Sequence, residues 1–403
     1  MSSAIQHELP GNGTNLTDWV CSLAAAHSSR ANCSDCTFWR QPDLTRRRAG
    51  RVLPHLPTTA WFTCVHKPKS AREEAFFDYI RVAIMSARLN APSLAPYVLY
   101  MHSTDQPFAA VDDRLTAWLK AVGVRVINSR LSFMDLIPAR RVDEMERHTG
   151  ICKMDLPAAA RSLDAELATR GLDRERILVT DADVLFANDF RFGQRKAART
   201  LRTFAAGIEF FSTSLNSGVV YMNVTTMLAE RDRMVQYAVR KKFKFLVADQ
   251  SWLQEWFDPI LGKGRRAALT GWDHLDEAMW NARPFVHPWR GHPKRRRPLS
   301  WPEPRIWHWH GYKPGDVECW FNAMRTGAWP LRAWRDTPGC AMGKSARLKG
   351  AQEAGACMYQ PIKDSGCRVL GRIRHSKCYL RTYAYLYEQH RRILRLADEV
   401  VRG

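Results

Sequence analysis

Through the middle of the chain, short apolar runs alternate with longer stretches whose apolar residues recur every three or four positions. WFTCVH (61–66), YVLYM (97–101), VRVIN (124–128) and RILVTD (176–181) predict strands. Between them AREEAFFDYIRVAIMSARLN (71–90), DDRLTAWLKAVG (112–123) and DLPAAARSLDAELATRG (155–171) predict helices. In the first of these Phe76, Phe77, Ile80, Val82, Ala83 and Met85 fall largely on one face. Strand–helix alternation predicts an α/β fold with a mainly parallel central sheet and helices on both faces. In such sheets ligands sit beyond the carboxyl ends of the strands. Further on, SGVVYMNV (217–224) and RIWHWHG (305–311) predict strands, MLAERDRMVQYAVRKK (227–242) and ADQSWLQEWF (248–257) helices, and YLRTYAYLYEQHRRILRLADEVV (379–401) a closing helix. No internal repeat interrupts this order.

The pattern weakens at both ends. Residues 1–55, rich in Gly, Ser, Asn, Thr and Arg and holding TRRRAGR (45–51), are expected to be a loosely ordered basic extension. Residues 56–335 form the expected α/β domain, and 336–403 a Cys-containing extension ending in a helix. A hydrophobic fraction of 45% with 15 tryptophans excludes a disordered chain. The formal net charge of +21 predicts attraction to polyanions and says nothing of fold. No apolar stretch reaches the roughly 18–20 residues of a membrane-spanning helix. MSSAIQHELPGNGTNLTDWV (1–20) lacks the basic start and apolar core of a signal peptide. A complete chain would thus be cytoplasmic; one that had lost an anchor would be lumenal, in the Golgi or endoplasmic reticulum. Ten cysteines are thin for a disulfide scaffold, and the sequons at Asn12, Asn15, Asn32 and Asn223 would matter only in an oxidising compartment.

Chemistry concentrates in RILVTDADVLFANDF (176–190), where apolar runs flank Asp181 and Asp183. Two carboxylates one residue apart at a strand end suit a hard divalent cation. They equally suit a turn in which Asp bonds its own backbone. Asn216 and Gly218 open the next predicted strand, Gly218 either leaving room for a ligand or marking a bulge. Asp249 and Gln250 open a helix, which Asp249 could simply cap.

Taken in order, Asp181-Ala-Asp183, Asn216-Ser-Gly218-Val219, Asp249-Gln250 with Leu253, and His308-Trp-His-Gly311-Tyr-Lys313-Pro314 resemble the motifs of the retaining family 8 glycosyltransferases. That group includes glycogenin and lipopolysaccharide galactosyltransferases, and the likeness spans roughly residues 58–315. It implies the GT-A nucleotide-diphospho-sugar transferase fold and transfer of a hexose or similar sugar from a UDP-sugar to an acceptor glycan, protein or lipid. It implies Mn²⁺ (or Mg²⁺) held by Asp181, Asp183 and His308, with Lys313 and Gly311 at the phosphates. Lys153 corresponds to the family's basic residue before the DxD strand, a second cation or a donor-sugar contact. Asn216 and Gly218 would line the sugar pocket, Asp249 would bind sugar hydroxyls, and Gln250 would lie near the anomeric carbon. His310 carries no such role. The family's closing Lys-Pro-Trp reads Lys-Pro-Gly here, and the acceptor is not implied, although the net charge favours an anionic one. A nucleotide-sugar-forming nucleotidyltransferase would carry a glycine-rich phosphate loop after the first strand, which WFTCVHKPKS lacks. A nucleic-acid-binding protein would explain clusters such as KRRRP (294–298), yet no nucleic-acid-binding module accompanies them.

Overall fold

The computed structural model describes residues 57–66, 71–101, 114–142, 149–189, 201–208, 215–245, 248–257, 271–283, 304–309, 313–314, 317–318 and 376–402. The expected extension over 1–55, the basic loop around KRRRP, His310 and Gly311 lie outside them. The chain divides into two compact units: one of residues 44–283, 302–308 and 393–403, the other of residues 1–43, 284–301 and 309–392.

The larger unit holds the predicted α/β architecture. Its first strands and helices run β1 (Thr59–His66), α1 (Ala71–Asn90), β2 (Leu94–Met101), α2 (Arg114–Ala121) and β3 (Arg125–Ser129). A 3₁₀ helix, Thr149–Met154, leads into α3 (Leu156–Ser162), α4 (Asp164–Thr169), β4 (Arg176–Thr180) and β5 (Val184–Phe186). Then follow β6 (Phe204–Ile208), β7 (Leu215–Asn223), α5 (Val224–Arg240), α6 (Ala248–Phe257), β8 (Asp273–His274), α7 (Glu277–Trp280) and β9 (Ile306–His308). The seven-stranded sheet has the order β3-β2-β1-β4-β7-β6-β8. All its strands run one way except β7, which pairs antiparallel with β4 and β6.

Both faces of the sheet are covered. Ala60, Phe62, Tyr97, Leu99, Ile177 and Val179 share one core with residues of α3, α5 and α6. The intervening Trp61, Val98, Tyr100 and Leu178 are just as buried on the other face. There Trp61 meets Phe186 of β5 edge-on at 4.7 Å. Strands buried on both faces read as unbroken apolar runs, which is why β1, β2 and β4 are visible in the sequence. The end of helix α8 (Ser376–Arg402) also belongs to this unit: Trp118 Nε1 donates to Ala397 O at 2.8 Å, and Arg81 pairs with Asp398.

Four local departures from the sequence pattern matter. The helix expected over 155–171 is two, interrupted at Leu163 with φ −99° and ψ 10°. Asp155 does not cap it; its carboxylate takes the Ser132 amide at 2.6 Å and hydroxyl at 2.7 Å, and Arg231 at 2.8 Å. The apolar triplet 184–186 does not continue the central sheet but pairs with β9 as a separate two-stranded sheet. FAAGI and Asp273–His274 add strands that carry no apolar period. Finally, Cys64 of β1 and Cys152 of the 3₁₀ helix form a disulfide, Cα atoms 6.6 Å apart, closing a separation of 88 residues.

In the smaller unit Trp309 lies 5.8 Å from the Tyr383 ring and edge-on to His390, whose pKa burial pushes down to about 3. Lys313 Nζ donates to Trp309 O at 2.7 Å.

Candidate metal centre

The β4 strand delivers Asp181 at its carboxyl end, and the Asp181 amide bonds Gly218 O at 2.9 Å, extending the β4–β7 ladder by one step. The chain then turns out of the sheet, with Asp183 buried immediately before β5. β5 is gripped from two sides. Helix α1 supplies Ser86 Oγ to the Phe186 amide and Asn90 Nδ2 to Phe186 O, both at 3.0 Å. On the other side β9 pairs antiparallel, with Val184 opposite His308. That register sets His308 one residue from Asp183 across the ladder.

Asp181, Asp183 and His308 therefore converge, each offering one ligand atom, all within 4.8 Å of one another. His308 Nε2 stands 3.5 Å from Asp181 Oδ2 and 3.6 Å from Asp183 Oδ1. Those distances exceed a good N–H···O bond. They approach the about 3 Å expected between neighbouring ligands around an ion with bonds of about 2.1 Å. Two hard carboxylates and one imidazole form a donor set that could hold a divalent cation.

Lys153, fully buried on the 3₁₀ helix, stands behind this group. Its Nζ donates to Asp181 Oδ1 at 2.6 Å, Ser217 O at 2.7 Å and Asp249 Oδ2 at 2.9 Å. An ammonium has three protons, and these acceptors take all three. Burial alone would lower the lysine's pKa, but Asp181 and Asp249 outweigh it and hold it above the ordinary lysine range. Burial likewise pushes Asp181 up, and the Lys153 ammonium outweighs that, holding the carboxyl well below the usual carboxylate range. The group thus gathers three carboxyl side chains, Asp181, Asp183 and Asp249, and the Lys153 amine. A divalent cation would find carboxylate oxygens from Asp181 and Asp183 beside the His308 imidazole.

The sheet makes room for this cluster by breaking its own pleat. Between β6 and β7 the register jumps: Ala206 faces Val220, but Gly207 faces Asn216. Ser217, Gly218 and Val219 are the surplus, a bulge of the kind found beside functional sites. Gly218 thus marks an irregular strand and a close approach together, for a Cβ there would lie 2.0 Å from His308 Cε1. Gly150 is similarly pressed, since its Cβ would fall 2.3 Å from Asp249 Oδ1. Asn216, buried, donates through Nδ2 to Gln250 Oε1 at 3.3 Å.

Of the residues singled out from sequence, Asp181, Asp183, His308, Lys153, Asn216, Gly218, Asp249 and Gln250 form one connected group. Lys313 is described in the smaller unit, and Gly311 falls outside the described residues. Sequence reasoning overlooked Ser217, which acts through its backbone carbonyl, Gly150, and Asn281, which bonds both His308 and Asn216. Only the Asn-Ser-Gly motif hinted at the first, and nothing marked the other two.

No protein-family model matches the chain, and no curated protein matches it in sequence. Among solved structures it is similar to the glycosyltransferase GlyE of Streptococcus pneumoniae TIGR4, at 16% identity and a TM-score of 0.41 over 73% of this chain and 63% of that one. The chain thus spans less than two thirds of GlyE. It is also similar to the galactosyltransferase LgtC in complex with donor and acceptor sugar analogues: 15% identity, TM-score 0.44, 72% of this chain and 99% of that one. Mouse xyloside xylosyltransferase 1 in its apo form follows at 12% identity and 0.40, covering 63% and 98%. Likenesses this loose leave the chemistry to be read from the site's own residues.

Proposed function

We propose that the protein is a metal-dependent retaining glycosyltransferase of GT-A type, moving a hexose or similar sugar from a UDP-sugar to an acceptor. The observation that carries this reading is the convergence of Asp181, Asp183 and His308 at the carboxyl end of β4. Asp181, Asp183 and His308 would hold Mn²⁺ or Mg²⁺. The ion, when bound, would offset the charge that develops on a diphosphate leaving group.

The chain's own residues supply the rest. Lys153 fixes Asp181 for metal and Asp249 for sugar hydroxyls, which makes it an organiser of two carboxylates more than a free contact to donor phosphates. Asn216 orients Gln250 toward the anomeric carbon. Gly218 lets His308 close on the sheet. Retention is proposed without a protein nucleophile, by same-face attack assisted by the leaving phosphate. The +21 charge suits an anionic acceptor. The Cys64–Cys152 disulfide supports an oxidising, lumenal compartment.

The test is a screen of UDP-, GDP- and CDP-sugars with Mn²⁺, reading nucleotide release. Wild type should turn over at least one donor, and Asp183→Ala should abolish that turnover while remaining folded. A folded Asp183→Ala variant with wild-type, metal-dependent release would sink the assignment.

A further inference from the structure

Asn281 belongs to none of the strands or helices that the sequence marks, yet it is completely buried beside His308. Residues 281–283 run alongside β9: the Ala282 amide bonds Ile306 O at 2.9 Å, and the His308 amide bonds Ala282 O at 2.8 Å. This places Asn281 Oδ1 3.0 Å from His308 Nδ1. On its other side Asn281 Nδ2 donates to Asn216 Oδ1 at 2.7 Å. Asn216 Oδ1 in turn accepts the Gly218 amide at 3.1 Å.

The direction of this chain of bonds is fixed at its far end. A backbone amide can only donate, so the Asn216 atom facing Gly218 is an oxygen. The Asn281 atom facing that oxygen must then be the NH₂, because a flipped amide would set two oxygens 2.7 Å apart. Asn281 consequently presents its carbonyl to His308, and only a protonated Nδ1 can answer a carbonyl. We propose that Asn281 is a positioning residue that keeps the proton of neutral His308 on Nδ1, so that the Nε2 lone pair faces Asp181 and Asp183. The imidazole is delivered in the tautomer a cation requires, and its ring plane is held before any ion arrives. Metal-bound histidines are oriented by such partners. Placing the restraint on a buried amide adds no further charge to the cluster. The inference rests on reading the triad as a metal site.

Two measurements test it on the full chain. In ¹⁵N-histidine-labelled, metal-free protein, at a pH where the ring is neutral, long-range ¹H–¹⁵N correlation should show His308 with its proton on Nδ1. The signal is identified by its loss in His308→Gln. Asn281→Leu should mix the tautomers and weaken Mn²⁺ binding, read by electron paramagnetic resonance of free Mn²⁺, by about 10–100-fold. A wild-type His308 protonated on Nε2 would overturn the proposal, as would a folded Asn281→Leu variant binding Mn²⁺ as tightly as wild type. Absence of Mn²⁺ binding to wild type would instead remove the metal reading, and the tautomer measurement would still decide the role of Asn281. That measurement also stands if Asn281→Leu does not fold.

Discussion

The flank of the sheet formed by β1 and β2 and the region around β4, β7, β5 and β9 bury opposite kinds of residue. On the flank, Phe62 stacks on Tyr97 at 5.0 Å, and Ala60, Ala95, Val98 and Leu99 exclude water from both faces. Around β4 and β7 the buried set includes Lys153, Asp183, Asn216, Ser217, Asp249, Asn281 and His308. Apolar burial stabilises without direction, so the flank tolerates repacking. The polar cluster is stable only while every charge is answered. One region is held by packing that many apolar side chains could supply, the other by hydrogen bonds and charges that each depend on a particular partner.

The sharpest way to test that contrast is to remove one key group from each. Phe62→Ala should lower stability by about 3–5 kcal/mol through loss of packing. Lys153→Met should cost a similar amount, about 3–5 kcal/mol, by leaving buried Asp249 and part-buried Asp181 without their ammonium. Only the second loss should depend on pH. Asp181's pKa is depressed on folding, so its share is present above the ordinary carboxylate value of about 3.9 and fades as the pH falls below it. Lys153's pKa is raised, so its share is present below about 10.4 and fades as the pH rises past it. Urea unfolding of both variants at pH 3, 7 and 9 is the check. The Lys153→Met penalty should shrink at pH 3 and the Phe62→Ala penalty should stay level. A penalty for Lys153→Met unchanged at pH 3 would mean that the ammonium contributes packing and not charge.

Glycines sharpen the comparison at smaller scale. Gly218→Ala drives a methyl into an imidazole held by Asn281 and by the β5–β9 pairing, an overpacking cost of about 1–3 kcal/mol. Because the displaced ring carries a proposed ligand atom, Nε2, Mn²⁺ affinity should fall with stability. Gly171→Ala is the control: its φ is +69° with nothing within 4 Å of a built Cβ, so the cost is about 1–2 kcal/mol of backbone strain. Mn²⁺ affinity, measured by calorimetry, should there be unchanged.

The two regions also differed in how far the sequence revealed them. β1, β2 and β4 were legible because strands buried on both faces are continuous apolar runs, and the helices between them repeat with their own period; β3, partly exposed, showed through its β-branched Val126 and Ile127. β6 was not, since Phe-Ala-Ala-Gly-Ile has too little side chain to show a pattern; its burial comes from its neighbours. The reversal of β7 and the departure of Val184–Phe186 into a second sheet depend on pairing partners far away in the chain, which a local period does not encode. Asp181, Asp183 and His308 stood out because a motif names side chains. Ser217 did not, because its role is played by a carbonyl every residue owns, and Asn281 did not, because its strand-like stretch is a single bridge to Trp307 through Ala282.

β7 contains the comparison within one strand. Its first half carries Asn216 and Gly218, and its last residue, Asn223, caps helix α5 by accepting the Thr226 amide at 3.1 Å. Asn223 also donates through Nδ2 to Leu201 O at 3.2 Å, so the sequon it heads has its amide committed on both sides. Asn223→Ala removes an N-cap from the far end of the strand, a loss of about 1 kcal/mol. Thermal unfolding should register that loss, while nucleotide release and Mn²⁺ affinity stay at wild-type values, because the Gly218–Asn216–Asn281 bonds do not pass through it. If Asn223→Ala weakened metal binding, β7 would be transmitting strain along its length, and the division between a supporting region and a ligand-holding one would have to be drawn across the strand more loosely than the hydrogen bonds suggest.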